Sequence, residues 1–124
     1  MLFSDNFDAQ GSANALSFNG FTNWSVTSGS VDYIRSGVQF GIQCAGSTGG
    51  CVDLDGSTGD AGRMSSKVVY NLLAGTTYLF SLDLSGGQVR DERNTVNFGF
   101  ALDGNLGSFL ASDMVTLART DPFG

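Results

Sequence analysis

The clearest alternation of apolar and polar positions lies within residues 76–86. Four apolar residues recur there with a period of two, namely Tyr78, Phe80, Leu82 and Leu84. Polar residues occupy the positions between them, except at Leu79, and glycine-containing turn sequences lie on both sides. This pattern predicts a half-buried β-strand. Because the chain has no amphipathic helical pattern, we expect a second sheet to cover the apolar row of this strand.

Shorter alternating runs predict further strands, at residues 2–7, 23–27, 31–34, 38–42, 52–54, 65–72, 94–102, 108–112 and 114–117. The three-residue linker 35–37 is short enough to join two of these strands as a hairpin. We therefore predict an all-β fold, an antiparallel two-sheet sandwich. Its predicted core includes Trp24, Tyr33, Phe40, Leu54, Tyr78, Phe80, Leu82, Phe98 and Phe100.

Length and composition agree with this fold class. The chain has 124 residues, with 41% hydrophobic and 15% charged residues, 18 Gly, ten Phe and a single Pro. Few charges, many aromatics and abundant glycine suit short strands joined by tight turns. We expect one β-sandwich domain over residues 1–124, since a chain of this length holds a single core.

The net charge of −6 and the absence of a basic stripe argue against a nucleic-acid-binding protein, which needs a positively charged surface. No apolar run approaches the roughly 20 residues of a membrane span, and the N-terminus lacks the apolar region of a signal peptide. The chain is therefore either intracellular or a mature region whose export signal has been removed.

Two cysteines favour export. Cys44 and Cys51 are separated by six small residues, and strand-like sequence lies on both sides. This spacing predicts a disulfide at the base of a flexible loop, and hence an oxidising compartment. A zinc site is disfavoured because the chain has no His and no further Cys.

The acidic turn after Cys51 leaves two interpretations open. Asp53 and Asp55 precede a glycine, as at the start of a calcium loop, although the spacing fails the EF-hand pattern. One interpretation is a structural calcium site at Asp53 or Asp55, completed by Asp5 or Asp8. The other is a solvated turn in which an aspartate caps its own backbone. We expect no other cofactor.

Catalytic residues are not indicated. Without His there is no Ser-His-Asp triad, and the cysteines are better explained as a bridge. The glycine-rich segments lie between strands without a following helix, so they do not predict a phosphate site. We expect the protein not to be an enzyme.

Several segments together resemble the secreted bacterial PEP-CTERM, or choice-of-anchor, proteins and the related DUF642-type domains. These are LFSDNFD at 2–8, NWSV at 23–26, SVDYI at 30–34, CVDLDGS at 51–57, AGTTY at 74–78 and SLDLSG at 81–86. The strongest match is the ordered pair of VDLDG at 52–56 and AGTTYLFSLDLSG at 74–86.

The resemblance implies a galactose-binding-like jelly-roll sandwich that is exported to the cell surface or the extracellular space and associated with exopolysaccharide. It does not imply catalysis. The Pro-Glu-Pro sorting tail of the family, with its transmembrane segment, is not present in this sequence, so membrane anchoring is not carried over. We also expect the chain to lack the closing C-terminal strands of such a sandwich.

Two functional hypotheses follow. In the first, the protein is structural and pairs with other copies of itself by strand addition, with Phe3 and Phe7 of the N-terminal strand as assembly residues. In the second, it is a carbohydrate-binding module that recognises a polysaccharide through loops at one end of the sandwich. The candidate glycan-binding residues are Asp32, Arg35, Arg90, Asp91 and Arg93.

Overall fold

A computed structural model describes residues 2–124, which form two compact units. The first unit ends at Val68, and the second comprises Val69–Gly124. The described residues contain no α-helix and every strand pair is antiparallel, so the predicted all-β class is confirmed. The strands are β1 (Trp24–Ser28), β2 (Asp32–Arg35), β3 (Gly50–Asp53), β4 (Arg63–Ser66), β5 (Arg93–Leu102) and β6 (Asn105–Ala118).

The first unit contains two small antiparallel sheets. Strand β1 pairs with β4, from Trp24 opposite Ser66 to Ser28 opposite Arg63. Strand β2 pairs with β3, from Asp32 opposite Asp53 to Arg35 opposite Gly50. A further bridge joins Ala15 to Tyr33, whose backbone groups exchange hydrogen bonds of 3.0 and 2.8 Å.

The core of the first unit forms around β2. Phe21, Val31 and Tyr33 are fully buried, and Phe7, Phe18, Trp24, Val26, Val52, Leu54 and others pack against them. Ile34, Ile42 and Cys44 form a second buried cluster beside Cys51. The predicted burial of Tyr33 is confirmed, and Trp24 and Leu54 belong to the same core as predicted.

The predicted disulfide is confirmed. Cys44 and Cys51 are bonded, with their Cα atoms 5.5 Å apart. The loop between them contains a 3-10 helix at Ala45–Ser47, and Cys51 lies in β3. The bridge therefore joins the buried Cys44 cluster directly to the β2–β3 sheet.

The predicted hairpin between 31–34 and 38–42 is wrong. Strand β2 pairs with β3 instead, and residues 38–42 form turns in which the Ile42 carbonyl accepts a hydrogen bond from the Gly37 amide at 2.7 Å. Three residues there have left-handed φ angles, +76° at Gly37, +55° at Phe40 and +71° at Gly41. Phe40 is 52% exposed, so its predicted place in the core is also wrong.

Of two other predicted strands, one forms no ladder and one is shorter than predicted. Residues 2–7 alternate between exposed and half-buried positions as predicted but form no strand. The strand predicted at 65–72 is β4, which begins at Arg63 and ends already at Ser66.

The second unit is built on one long antiparallel hairpin. Strand β5 pairs with β6 through a turn that contains Gly104 at a φ of +80°. The strand predicted at 94–102 is confirmed as β5, and the two short strands predicted at 108–112 and 114–117 are parts of the single strand β6.

Candidate assembly site

The segment at residues 77–83 keeps the predicted alternation of side chains. Tyr78, Phe80 and Leu82 are half-buried, while the residues between them are exposed. Leu79 is 89% exposed. The segment is therefore extended with one packed face and one solvent face, as the sequence pattern predicts.

The packed face lies on β5. The ring centroid of Phe80 is 5.9 Å from that of Phe98 and also 5.9 Å from that of Phe100. Beside these rings is an open groove of about 230 Å³, lined by Phe80, Phe98, Gly99, Phe100, Ala111, Ser112 and Asp113. The segment thus covers β5, whereas Ala111 and Asp113 on β6 stay exposed.

The backbone of the segment has no ladder partner, so the predicted strand is wrong as a paired strand. None of the amide or carbonyl groups of residues 77–83 hydrogen-bonds to another residue within 2–124. The segment is nevertheless held at both ends. The Leu73 amide donates to the Tyr78 hydroxyl at 2.9 Å, and the Gly124 amide donates to the Leu84 carbonyl at 3.2 Å.

The second unit also has little buried apolar surface. Among the described residues, every fully or nearly fully buried hydrophobic side chain lies in the first unit. Large exposed hydrophobic side chains are concentrated in the second unit, at Val69, Leu72, Leu73, Leu79, Val89, Leu102, Phe109, Leu110 and Met114. A two-stranded hairpin with so little cover is marginally stable by itself.

The predicted assembly residues Phe3 and Phe7 make aromatic contacts inside the first unit. Phe3 packs edge-on against Trp24 with a centroid distance of 5.4 Å, and Phe7 stacks on the same indole at 6.2 Å. Phe7 also meets Phe21 at 6.1 Å. Both rings therefore contribute to the packing of the first unit, and their role in assembly stays a prediction.

Asp32 also has a different role from the predicted one. Its side chain is 1% exposed, so it cannot contact a glycan. Its carboxylate accepts hydrogen bonds from the Ser17 amide at 2.7 Å, from the Ser57 amide at 3.2 Å and from the Ser57 hydroxyl at 2.7 Å. Asp32 therefore connects two loops to β2.

The other candidate glycan-binding residues fall into two groups. Arg35 donates from Nη1 to the Tyr33 hydroxyl at 2.9 Å and to the Asp8 carbonyl at 3.3 Å, so its guanidinium supports the first unit. In the second unit, Arg93 is exposed at the first position of β5, and Arg90 and Asp91 are exposed in the turn before it. The predicted set is thus split between the two units.

Three of the four aspartates proposed for calcium accept hydrogen bonds within the first unit, and the fourth, Asp55, donates its amide to one of them. Asp53 accepts from the Asp55 amide at 3.1 Å, as in a self-capping turn. Asp5 accepts from the Trp24 indole at 3.1 Å, and Asp8 accepts from the Gly50 amide at 2.9 Å. Within the described part of the chain no three acidic, His or Cys side chains are grouped so as to hold a metal. The calcium site stays a prediction.

Comparison with protein-family models, with curated proteins and with solved structures finds no match. Among residues 2–124, no helix has the length and apolar character that crossing a membrane requires.

Proposed function

We propose that this chain is a non-catalytic structural protein of the extracellular space or cell surface that self-associates by strand addition within an exopolysaccharide matrix. The observation that supports this most strongly is segment 77–83, which is extended and packed on one face but lacks backbone partners among the described residues. Such an unpaired strand is a template for pairing with another chain. Strand addition supplies the missing hydrogen bonds and extends the apolar layer at the same time.

The proposed fold is a single antiparallel jelly-roll sandwich of the galactose-binding type, and the proposed family is that of the PEP-CTERM and DUF642-type proteins. The all-β class and the antiparallel pairing support the sandwich. The Cys44–Cys51 bridge supports an oxidising compartment, and therefore export.

Sedimentation velocity over a range of protein concentrations tests the proposal. We expect the average sedimentation coefficient to rise with concentration, and we expect Leu79→Lys to suppress this rise by placing a charge on the solvent face of the segment. Val38→Lys is the matched control, because Val38 is likewise exposed, at 70%, but lies in the first unit. A monodisperse monomer at the highest concentration would contradict the proposal.

Glycan binding is the second candidate function, favoured by the exposure of Arg90, Asp91 and Arg93 in the turn that leads into β5. A glycan array tests it with the double variant Arg90→Ala/Arg93→Ala. Arg63→Ala, at an exposed site on β4, is the control. Binding that is lost in the double variant and kept in the control would favour this function.

A further inference from the structure

We propose that the strand added to segment 77–83 is the same segment of a second copy, antiparallel to the first, with Phe80 opposite Phe80 at a two-fold axis. This inference rests on the proposed self-association and names the surface that carries it. Closed two-fold dimers are the commonest homo-oligomers, and each copy contributes the same patch.

The alternation of the segment restricts the pairing register. Residues directly opposite each other in an antiparallel pair have side chains on the same face. Half-buried residues of one copy must therefore lie opposite half-buried residues of the other, and a slip of one residue would turn apolar side chains to solvent. The two-fold axis can therefore pass at a residue, which then lies opposite its own counterpart. It cannot pass midway between two neighbouring residues, because half-buried residues would then lie opposite exposed ones.

The length of the unpaired backbone selects one of these registers. The free groups extend over residues 77–83, of which Phe80 is the midpoint. Centring the pair on Phe80 matches all seven positions, with Leu79 opposite Ser81, Tyr78 opposite Leu82 and Thr77 opposite Asp83. Charge favours the same arrangement, because parallel in-register pairing would stack Asp83 on Asp83, and opposed like charges destabilise a sheet.

The position of Phe80 over β5 shows which edge is available. Its ring is equally distant from the rings of Phe98 and Phe100, which places it over the part of β5 around Gly99. The groove lies on the β6 side of Phe80. If segment 77–83 of a second copy paired on that side, at the usual strand spacing of about 4.8 Å, the β5 strand of the second copy would collide with β6 of the first. On the opposite side, the edge of β5 pairs with no described residue, so β5 of the two copies can also meet there.

The resulting dimer has two layers. Two copies of segment 77–83 form one layer, and β6–β5–β5–β6 forms the other. Phe80, Phe98 and Phe100 of both copies then meet at the two-fold axis as one cluster of rings. This arrangement gives the second unit the buried aromatic core that it lacks alone.

Cysteine cross-linking between two variants tests the register. Leu79→Cys and Ser81→Cys proteins are mixed, associated and mildly oxidised, and the interchain disulfide is mapped by mass spectrometry. Opposed residues in an antiparallel pair have Cα atoms about 4.5–5.5 Å apart, within the roughly 4.4–6.8 Å that a disulfide spans. Diagonal neighbours are about 7–8 Å apart, which is too far. Both sites are exposed, so neither change should disturb folding.

The expected result is a covalent dimer in the mixture and none in either variant alone. Leu110→Cys mixed with Ser81→Cys is the control, since Leu110 is 64% exposed but lies on β6. Self-association without the mixed cross-link, or with a cross-link in one variant alone, would overturn this register while leaving the proposed function intact. Absence of self-association would overturn both.

Discussion

Replacing Asp32 with alanine should destabilise the first unit by about 3–5 kcal/mol. The two carboxylate oxygens accept three hydrogen bonds, from the Ser17 amide, the Ser57 amide and the Ser57 hydroxyl. All three anchor loops to a side chain that is 1% exposed. Alanine would leave these donors without their acceptor and open a small cavity beside β2.

The magnitude follows from these bonds. A hydrogen bond to a charged group contributes about 1.5–3 kcal/mol, so three bonds set an upper bound of about 4.5–9 kcal/mol. Part of this loss of stability is offset, because the variant does not bury a carboxylate and so avoids its desolvation cost. Water can also enter and accept hydrogen bonds from the loop donors. Asp32→Asn keeps one acceptor oxygen, so its loss of unfolding free energy should be smaller than that of Asp32→Ala.

Urea denaturation followed by the fluorescence of Trp24 measures this effect in the unit that contains Asp32. Asp83→Ala, which removes an exposed carboxylate, is the control and should change the unfolding free energy by less than about 0.5 kcal/mol. A loss below about 1 kcal/mol in Asp32→Ala would refute the structural role. A glycan-binding role would instead predict lost binding with stability unchanged.

Three further predictions concern the same unit. Tyr33→Phe should lower the free energy of unfolding by about 1–2 kcal/mol in urea denaturation. The Tyr33 hydroxyl donates to a backbone carbonyl at 2.7 Å and accepts from a guanidinium at 2.9 Å, and both bonds would be lost. Gly50→Ala should lower the melting temperature, since a Cβ there would lie 2.1 Å from the Tyr33 hydroxyl; Gly87→Ala, whose closest neighbour would be at 3.5 Å, should not. The double variant Cys44→Ser/Cys51→Ser should have a free energy of unfolding lower by about 2.5 kcal/mol, according to the loop-entropy model. An unchanged denaturation midpoint would contradict this.

The sequence pattern predicted side-chain faces better than backbone pairing. At residues 77–83 and at 2–7 the alternation of exposure is as predicted, although neither segment joins a ladder. Alternation reports which side of an extended segment packs against apolar neighbours. Pairing depends on a partner strand elsewhere in the chain, and a local pattern holds no information about that partner.

Two errors have identifiable local causes. Residues 38–42 alternate, but Gly37 and Gly41 lie on either side of Phe40 and allow the left-handed turns that the structure contains. Asp32 is predicted to bind a glycan, which requires an exposed side chain, and its alternation with Val31 and Tyr33 is compatible with that exposure. Strand β2 is buried on both faces, so alternation there does not separate inside from outside.

Local features of the chain predicted the disulfide, because two cysteines separated by six small residues have few other uses in a chain without His. The predicted core also included Phe80, Phe98 and Phe100, and the Phe80 ring does contact both other rings. The unpaired backbone of segment 77–83 could not be predicted, since the pattern is the same for a paired strand.

Amide hydrogen exchange of residues 77–83 at low and high protein concentration tests the central claim most directly. In dilute protein these amides should exchange rapidly, because no described residue accepts a hydrogen bond from them. At concentrations where the protein associates, they should become protected, while the amides of β2 stay unchanged. Rapid exchange that persists in the associated protein, or protection already present in the dilute monomer, would contradict strand addition at this segment.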